Sequence, residues 1–405
     1  MHIVLIVVYF PPNTSSTAKL WGDLAEELRR VGCRVTVITT AEALDRPYTI
    51  ESQGALSVLR VRTGRIYGER MIVRASREVL LSRTMWKAAG THLRELKVDA
   101  LVYCSPSIFF GPLVMRLKKM WNVSAYMVQR DFFPDWVVEA GMLRKGLIYR
   151  YFKSWERSAF DASDRIAVQS PANVTYFRTM FPTRDDRVDV LYNWTAGILP
   201  SRKTPSYRSQ LKLDGKVVFF YGGNIGVAQD MDNLLRLARA LENESLVHFL
   251  FVGTGSEVPR IRAEIDSGSV RNLTLLPAVS QTDYLTMLQE FDIGLISLDR
   301  RLNSANLPGK LLGYLECGMP TLASINPGND LADVLSEAGA GFCSENGDDA
   351  ALLANARALA HDSVLRNEMG AKAKRLLEDR FHVRSAAAQI LDYFALPQGG
   401  VRGVP

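Results

Sequence analysis

The sequence predicts an α/β protein built from two doubly wound, Rossmann-like domains. In both halves of the chain, short apolar runs typical of buried parallel strands alternate with amphipathic segments typical of helices. The length of 405 residues exceeds that of one typical domain, so two domains of about 200 residues each are expected. Residues 196–215 are rich in proline, glycine and small polar residues and predict a linker between the two series.

The first predicted domain, residues 1–195, begins with one βαβ unit. Residues 3–9 form a continuous apolar run, residues 18–30 have the apolar spacing of a helix, and residues 35–39 form the next run. No G-x-G-x-x-G motif follows the first run, which disfavours an enzyme that uses NAD or FAD. Further strands are predicted at 101–103, 125–129 and 164–170.

The second predicted domain, residues 216–375, repeats the alternation. A glycine-rich turn is predicted at 222–226 and a helix at 232–241. Strands are predicted at 217–221, 247–252, 273–276, 293–296 and 321–324. The C-terminal helices, 376–395, are expected to pack back on the first domain, and the tail, 396–405, is expected to be mobile.

The composition restricts the class of partner and the compartment. The chain has 49 basic and 43 acidic residues, an excess that fits a phosphate-bearing ligand or an anionic membrane surface and is too small to indicate nucleic acid. The four cysteines have no paired spacing, which argues against disulfides and a zinc site and for a reducing cytoplasm. No apolar run approaches about 18 residues, so no transmembrane helix is predicted.

One stretch, residues 62–94, is basic with interspersed apolar residues, among them Met71, Ile72, Trp86 and Leu80. This pattern fits an interfacial helix that lies against anionic lipid. It fits a solvated amphipathic helix packed on the domain equally well, and the sequence leaves both interpretations open.

Three features of the second predicted domain favour a bound phosphate. Backbone N–H groups of the glycine-rich segments 222–226 and 253–255 can approach an anion closely. Lys310 lies near the start of a helix predicted to have Pro308 in its first turn, where the helix dipole also favours an anion. Gly318 is predicted to end this helix, and Pro320 prevents its continuation. Glu316 lies near the other end, roughly 9 Å away at about 1.5 Å per residue. This spacing suits one elongated ligand with a phosphate and a hydroxyl-rich end, and the alternative is a surface helix with two ordinary charges.

The sequence offers few other candidates for catalytic or metal-binding residues. Asp131 follows the strand predicted at 125–129, at the carboxyl end where open α/β sheets bind ligands, although it could also be a helix cap or a loop carboxylate. Asp230-Met231-Asp232 matches a D-x-D metal-binding pattern, but its position before a helix favours capping, and no metal is predicted. The five histidines show no ligand spacing, and no nucleophile with a partner base can be assembled.

Several short motifs occur together in a characteristic order and spacing. They are Tyr9-Phe10-Pro11-Pro12, Arg130-Asp131 with Pro134, Asn193-Trp194, Tyr221-Gly222-Gly223-Asn224-Ile225-Gly226, Phe251-Val252-Gly253-Thr254-Gly255, Leu307-Pro308-Gly309-Lys310 and Glu316-Cys317-Gly318-Met319-Pro320. With these motifs, nearly the whole chain resembles the GT-B-fold, retaining glycosyltransferases of family GT4. Within that family it resembles the branch that makes bacterial O-antigen, capsule or colanic-acid repeats, including L-fucosamine and fucose transferases.

The resemblance implies two domains that face a cleft, a nucleotide-diphosphate sugar on the C-terminal domain and an acceptor on the N-terminal domain. It implies metal-independent transfer with retention, by front-face attack as the leaving phosphate departs. The implied catalytic residues are Asp131 and Lys310. The implied donor-binding residues are Gly223, Asn224, Gly226, Gly253, Gly255, Gly309, Lys310 and Glu316, where Glu316 matches the glutamate that binds the ribose. The acceptor-side candidates are Pro12, Asn13, Ser15 and Arg130.

Two positions depart from the family pattern. The first glutamate of the E-x7-E motif would fall at Pro308, and the lysine that often follows the glycine turn is replaced by Ala228. The resemblance therefore leaves the phosphate charge to Lys310, with an arginine such as Arg130 or Arg300 as a second contributor.

The leading interpretation is a cytoplasmic transferase, peripheral on the inner membrane, that needs no cofactor and no nucleic acid. It moves a sugar, such as N-acetyl-L-fucosamine or a related deoxy-amino sugar, from a UDP donor. The acceptor is a lipid-linked (polyprenyl-diphosphate) or lipopolysaccharide-core glycan, and the pathway is surface-polysaccharide biosynthesis. The alternatives are a nucleotide-sugar 2-epimerase of the same fold and a non-catalytic nucleotide-sugar-binding subunit, for which Ala228 and Pro308 are the arguments.

Overall fold

The structure, a computed structural model, describes residues 1–13, 15–64, 76–105, 107–139, 141–182, 187–202, 204, 206–302 and 307–395. The chain divides into two compact units. The first consists of Met1–Trp194 together with the C-terminal segment that begins at Val383, and the second is Thr195–His382. The tail expected to be mobile, 396–405, and residues 65–75 of the basic stretch lie outside the described residues.

The first unit contains an eight-stranded sheet in the order β3-β4-β2-β1-β5-β6-β7-β8. Every neighbouring pair is parallel except the β3–β4 hairpin. The strands are β1 His2–Ile6, β2 Arg34–Ala41, β3 Tyr48–Gln53, β4 Leu56–Arg62, β5 Ala100–Ser105, β6 Ala125–Gln129, β7 Arg165–Val168 and β8 Val188–Val190. The α-helices of this unit that precede residue 195 are α1 Ser16–Arg30, α2 Leu81–Glu95, α3 Gly111–Trp121, α4 Asp135–Glu139, α5 Leu147–Ala162 and α6 Pro171–Met180.

The second unit contains a six-stranded, fully parallel sheet in the order β11-β10-β9-β12-β13-β14. Its strands are β9 Val217–Asn224, β10 Val247–Thr254, β11 Leu273–Leu276, β12 Ile293–Ser297, β13 Thr321–Ile325 and β14 Gly341–Glu345. Its helices are α7 Tyr207–Gln210, α8 Met231–Ala240, α9 Val258–Asp266, α10 Gln281–Leu288, α11 Lys310–Cys317, α12 Leu331–Ala338, α13 Asp349–His361 and α14 Ser363–Leu376. The predicted class, two α/β domains with doubly wound and mostly parallel sheets, is confirmed.

The strand orders also locate a switch point in each sheet. In the first sheet, the strands that follow β1 in sequence lie on one side of it, and the series from β5 onward lies on the other side. In the second sheet, β10 and β11 lie on one side of β9, and the series from β12 onward lies on the other. Helices that follow these strands cover opposite faces of the sheet, which leaves a crevice at the carboxyl ends where ligands bind in this class of fold. The strands β1, β5, β6, β12 and β13 are buried along their whole length, as expected of strands covered on both faces.

The last helix, α15 Val383–Ala395, belongs to the first unit, where it contacts α1. Its residue Gln389 donates a hydrogen bond to the carbonyl oxygen of Val190 at 2.8 Å. Residues of the predicted linker belong to the second unit instead. There Arg208 of α7 donates to the carboxylate of Asp292 at 2.8 Å and to the carbonyl oxygen of Lys216 at 2.7 Å, which fixes the segment before β9.

Three predicted element boundaries were wrong. The first strand ends at Ile6, although the apolar run continues to Tyr9, because apolar runs report burial and Val7 stays fully buried outside the strand. The predicted turn at 222–226 is a strand as far as Asn224, because β10 pairs with that segment residue by residue. Helix α11 begins at Lys310, so Pro308 precedes the helix, and its carbonyl oxygen accepts from the N–H of Leu311 at 3.0 Å.

The basic stretch resolves into a core helix for the part that the structure describes. Leu81, Met85, Ala89 and Leu93 of α2 are buried in the hydrophobic core of the first unit. Because its apolar stripe is already covered, α2 does not offer an interfacial face to lipid, and the amphipathic-helix interpretation holds for residues 81–94.

Candidate functional site

The carboxyl ends of β9 and β10 run side by side, and β9 borders the switch point of the second sheet. Gly253 pairs with Gly223, and the N–H of Ile225 donates to the carbonyl oxygen of Thr254 at 2.8 Å. A Cβ at position 253 would lie 1.9 Å from the carbonyl oxygen of Gly223, and one at position 255 would lie 2.1 Å from that of Ile225. Both segments therefore need glycine in order to pack on each other, quite apart from any ligand.

Gly223 is different, because it meets no neighbouring atom. Its φ of +114° lies in a region that L side chains rarely adopt, and a Cβ there would have nothing within 4 Å. The adjacent Asn224 is exposed and donates to Oε1 of Gln229 at 2.8 Å. The same oxygen accepts from the N–H of Gly226 at 3.1 Å, which orders the turn before α8. The result is an open, ordered backbone edge.

Lys310 lies beside this edge at the N-terminus of α11. Its Nζ atom is 3.7 Å from the ring centroid of Tyr221, which is fully buried and donates from its hydroxyl to the carbonyl oxygen of Asn224 at 2.6 Å. Burial lowers the pKa of Lys310 to about 7, because desolvation disfavours the ammonium. Within the described part of the chain, no carboxylate forms an ion pair with Lys310, so the Tyr221 ring is its main partner. Gly309, at the cap position of α11, is exposed with open space around it.

Glu316 lies near the opposite end of α11. Its carboxylate is buried and accepts a hydrogen bond from the hydroxyl of Thr195. The helix ends at Gly318, which has a φ of +65°, and the N–H of Met319 donates to the carbonyl oxygen of Tyr314 at 2.9 Å, as sequence analysis expects of a glycine-terminated helix. Lys310 and Glu316 are thus held at the two ends of one short helix.

The corresponding edge of the first sheet is formed by side chains. Ser105 ends β5, Gln129 ends β6, and Arg130 follows directly, with its N–H donating to the carbonyl oxygen of Ser105 at 3.2 Å. The Arg130 guanidinium donates to the hydroxyl of Thr17 at 2.7 Å. Three buried atoms, Ser105 Oγ, Gln129 Oε1 and Arg130 Nε, have no hydrogen-bond partner among the described residues. Buried polar atoms normally have partners, so this edge is equipped to bind a ligand with several hydrogen-bonding groups.

Asp131 lies next to this cluster. Burial raises the pKa of its carboxyl group, and the neighbouring Arg130 opposes that shift. The Asp131 carbonyl oxygen accepts from the side-chain amide of Gln129 at 2.8 Å and from the N–H of Phe133 at 3.2 Å. These bonds hold the turn after β6 and with it the position of the carboxyl group.

The other acceptor-side candidates occupy the loop between β1 and α1. Asn13 accepts the N–H of Ser15 at 3.0 Å, and Ser15 in turn caps α1 by accepting the N–H of Ala18 at 3.3 Å. Pro12 is exposed in the same loop. Asn13 and Ser15 are therefore engaged in shaping the entry to α1.

The D-x-D segment does not act as the predicted cap. Asp230 lies at the cap position of α8 but makes no side-chain capping bond, because its φ of +40° turns the carboxylate toward Asn346, which donates to it at 2.9 Å. Asp232 is ion-paired with Arg260. Over the described residues, no group of three or more His, Cys, Asp and Glu side chains is arranged to hold a metal ion.

Sequence reasoning missed four members of these two edges. Tyr221 was part of a motif but had no assigned role, and the long-range contact of Thr195 with Glu316 has no local signature. Ser105 and Gln129 are ordinary polar residues in sequence, and only their position as the last residues of adjacent strands could have indicated a shared edge. Among the helices that the structure describes, none is long and apolar enough to cross a membrane.

Two family descriptions match consecutive parts of the chain. Residues 17–194 match the family described as a glycosyl transferase 4-like domain. Residues 203–376 match the family described as glycosyl transferases group 1. The two matched segments follow the division into two units closely.

Two bacterial relatives are similar over most of their length. A protein of Escherichia coli (strain K12), assigned as the colanic acid biosynthesis glycosyl transferase WcaI, is 24% identical over 78% of this chain and 82% of its own. A Pseudomonas aeruginosa protein, assigned as the glycosyltransferase WbjE, is 21% identical over 84% of this chain and 85% of its own.

Solved structures share the fold at low sequence identity. Sucrose-phosphate synthase from Thermosynechococcus elongatus has a TM-score of 0.74 at 15% identity, covering 97% of this chain and 98% of its own. HepE from Anabaena, solved in complex with UDP, has a TM-score of 0.69 at 14% identity, covering 98% of this chain and 100% of its own. With both family matches in place, the chain belongs to family GT4 of the GT-B-fold glycosyltransferases.

Proposed function

We propose that this enzyme is a retaining glycosyltransferase of bacterial surface-polysaccharide biosynthesis, with a UDP-sugar as donor and a lipid-linked glycan as acceptor. The donor sugar is N-acetyl-L-fucosamine or a related deoxy-amino sugar. The observation that carries the proposal is Lys310, a cation with no carboxylate partner among the described residues, beside the open glycine edge of β9.

The donor diphosphate binds at this edge. Three groups favour an anion here: the backbone edge at Gly223, the N-terminus of α11 at Gly309 and the ammonium of Lys310. The two glycines leave open space for the ligand, because they have no side chain. Glu316, whose carboxylate also accepts a hydrogen bond from Thr195, accepts the ribose hydroxyl groups. The elongated nucleotide then lies along α11, with its charged end at Lys310.

The acceptor binds at the carboxyl edge of the first sheet. Ser105, Gln129 and Arg130 supply buried donors and acceptors that have no partner within the described structure, which suits the hydroxyl groups of a sugar. Asp131 contributes a carboxyl group whose raised pKa lets it exchange a proton or orient a hydroxyl group.

In the transfer step, the acceptor hydroxyl oxygen forms a bond to the anomeric carbon on the face that the diphosphate leaves. The bond between the anomeric carbon and the diphosphate oxygen breaks, and the hydroxyl proton passes to the departing diphosphate, so UDP is the other product. Negative charge grows on the leaving group, and a cation already in place at Lys310 stabilises it more in the transition state than in the ground state.

The comparisons support the class of reaction and the choice of donor. The relative WcaI is named for colanic acid biosynthesis, and the structural neighbour HepE was solved with UDP. The sugar, the nucleotide and the lipid-linked acceptor are our proposals for this chain.

The first test is donor binding, measured as the change in Tm of the full chain with UDP-, GDP- and dTDP-sugars. Stabilisation by UDP-sugars above the other two groups is expected, since any ligand that binds the folded state raises its stability. If no nucleotide sugar shifts Tm, the proposal is wrong.

The second test assigns the effect to the site. Lys310→Met is expected to lower transferase activity by about 100-fold or more, since removing one stabilising group from a transition state typically costs that much. Lys372→Met, an exposed lysine in the same unit, is the matched control and should leave activity unchanged. Equal activity of the two variants would remove Lys310 from the catalytic role.

A further inference from the structure

An apolar surface stands exposed on α5 and the turn before it. The exposed fractions are 84% for Leu147, 62% for Ile148, 46% for Tyr151 and 70% for Met142. Trp136, at the start of α4, is 42% exposed. Single exposed apolar residues are common, but five within sixteen positions of one another form a patch that calls for a partner.

The opposite face of α5 is fixed to the core. Trp155 packs edge-on against Phe109 with ring centroids 5.4 Å apart, and Phe152 packs against Phe133 at 5.1 Å. Phe160, farther along the helix, is fully buried. The helix cannot turn its outward apolar residues inward without losing these contacts.

Helix α5 is also bonded to the start of α4. Lys153 forms an ion pair with Asp135 at 2.9 Å, and the hydroxyl of Tyr149 donates to the same carboxylate at 2.7 Å. These bonds tie α5 to the start of α4, next to Trp136. The exposed residues of both helices therefore belong to one ordered surface.

The charged residues of the segment 141–155, which carries most of this surface, are all positive. Residues 141–155 contain Arg144, Lys145, Arg150 and Lys153 and no Asp or Glu. Lys153 is paired inside the unit, whereas Arg144, Lys145 and Arg150 are exposed and form no ion pair in the described structure. Apolar side chains with Trp and Tyr among them, bordered by free cations, are the composition that binds the interface of an anionic bilayer.

We propose that this surface, formed by Trp136, Met142, Arg144, Lys145, Leu147, Ile148, Arg150 and Tyr151, docks the enzyme on an anionic phospholipid bilayer. The inference deepens the proposed function, because a lipid-linked glycan is presented at a bilayer surface. A protein partner is a weaker fit, since Arg144, Lys145 and Arg150 concentrate one sign of charge next to the apolar residues, whereas protein interfaces are depleted of charge at their core.

The test uses the full chain and sedimentation with vesicles of phosphatidylcholine alone or mixed with phosphatidylglycerol. Binding to the mixed vesicles only is expected. The double variant Leu147→Ser/Ile148→Ser and the triple variant Arg144→Gln/Lys145→Gln/Arg150→Gln should each reduce the partition coefficient. A reduction of roughly 100-fold is expected for the triple variant, at about fivefold for each basic residue near the surface.

Matched controls come from the second unit and from α2. Ile198→Ser/Val364→Ser replaces two apolar residues that are 73% and 64% exposed, and Lys87→Gln/Lys372→Gln/Arg375→Gln removes three exposed cations. Both controls should bind vesicles like the wild type. Failure of the wild type to bind mixed vesicles overturns the proposal, as does equal loss in controls and test variants.

Two further readouts separate the possible causes. Light scattering of the wild type and the Leu147→Ser/Ile148→Ser variant measures self-association, and a dimer that this variant abolishes would assign the surface to a second copy and overturn the lipid proposal. The Tm increase with UDP-sugars should be unchanged in all surface variants. If that increase is absent in the wild type while vesicle binding persists, the proposed donor is wrong and the docking surface stands.

Discussion

The carboxyl edges of the two parallel sheets occupy equivalent places in their units and present opposite chemistry. Two strands of the second sheet, β9 and β10, carry glycines next to their last residues, so the edge at Gly223 and Gly253 is backbone, with the cation Lys310 beside it. In the first sheet, β5 and β6 end in Ser105 and Gln129, so this edge consists of side chains, and some of their polar atoms have no hydrogen-bond partner in the described part of the chain.

The difference teaches how one fold class can hold two kinds of ligand. Backbone N–H groups and a helix N-terminus bind a negative charge at short range and make no contact with the rest of the molecule, which suits a diphosphate. Hydroxyl, amide and guanidinium groups project in several directions and can match a pattern of sugar hydroxyl groups. The residues near the carboxyl end of each strand decide which kind of edge the sheet presents.

The largest expected effect is on stability, and it tests the glycine edge of the second sheet. Gly253→Ala should lower the stability of the second unit by about 3 kcal/mol, because the added Cβ meets the carbonyl oxygen of Gly223 at 1.9 Å and the strands must move apart. Gly309→Ala is the control, since a Cβ there has no neighbour within 4 Å, and its effect should stay within about 0.5 kcal/mol. Urea unfolding measures both, and equal stability of the two variants would show that the glycine edge does not depend on close packing.

A smaller effect is expected at the side-chain edge. Arg130→Met should lower kcat/KM for the acceptor by about 10- to 100-fold, the usual loss for a hydrogen bond to a charged group. The Tm increase with UDP-sugar should remain, because Arg130 belongs to the other unit. Lys87→Met serves as the exposed control in the same unit. Loss of donor stabilisation with intact acceptor kinetics would reverse the roles assigned to the two edges.

The smallest effect is a pH dependence of UDP binding. Lys310 has a pKa of about 7 in the free protein, and a bound diphosphate would raise it by favouring the ammonium. Affinity should therefore be highest below pH 7 and fall as the pH rises from 7 through the pKa of the complex. The expected loss is about tenfold for each unit by which binding raises the pKa.

Isothermal titration calorimetry from pH 7 upward measures this slope, since the terminal phosphate of the ligand itself ionises near pH ~6. Lys310→Met should abolish the dependence. The same slope in wild type and variant would mean that another group titrates, and the cation at the backbone edge would then lie too far from the ligand.

Much of the fold followed from periodicity. The alternation of apolar runs with helical spacing predicted both α/β units, and Gly318 predicted the end of α11, because each of these signals is local and acts through neighbouring residues. The boundaries of the strands and helices were harder to predict from the sequence. β9 extends to Asn224 because β10 lies beside it, and a glycine in sequence looks the same in a turn as in a closely packed strand.

The sequence by itself determined the fold class, the glycine segments, and the identity of Lys310, Glu316 and Arg130 as candidates. Only the tertiary structure decided what surrounds each of them. Three contacts join residues from separate elements: the aromatic ring of Tyr221 with Lys310, the Thr195 hydroxyl with Glu316, and the carbonyl oxygen of Ser105 with the N–H of Arg130. Such contacts depend on strand order and register, and these are set by the packing of the whole sheet rather than by any local run of residues.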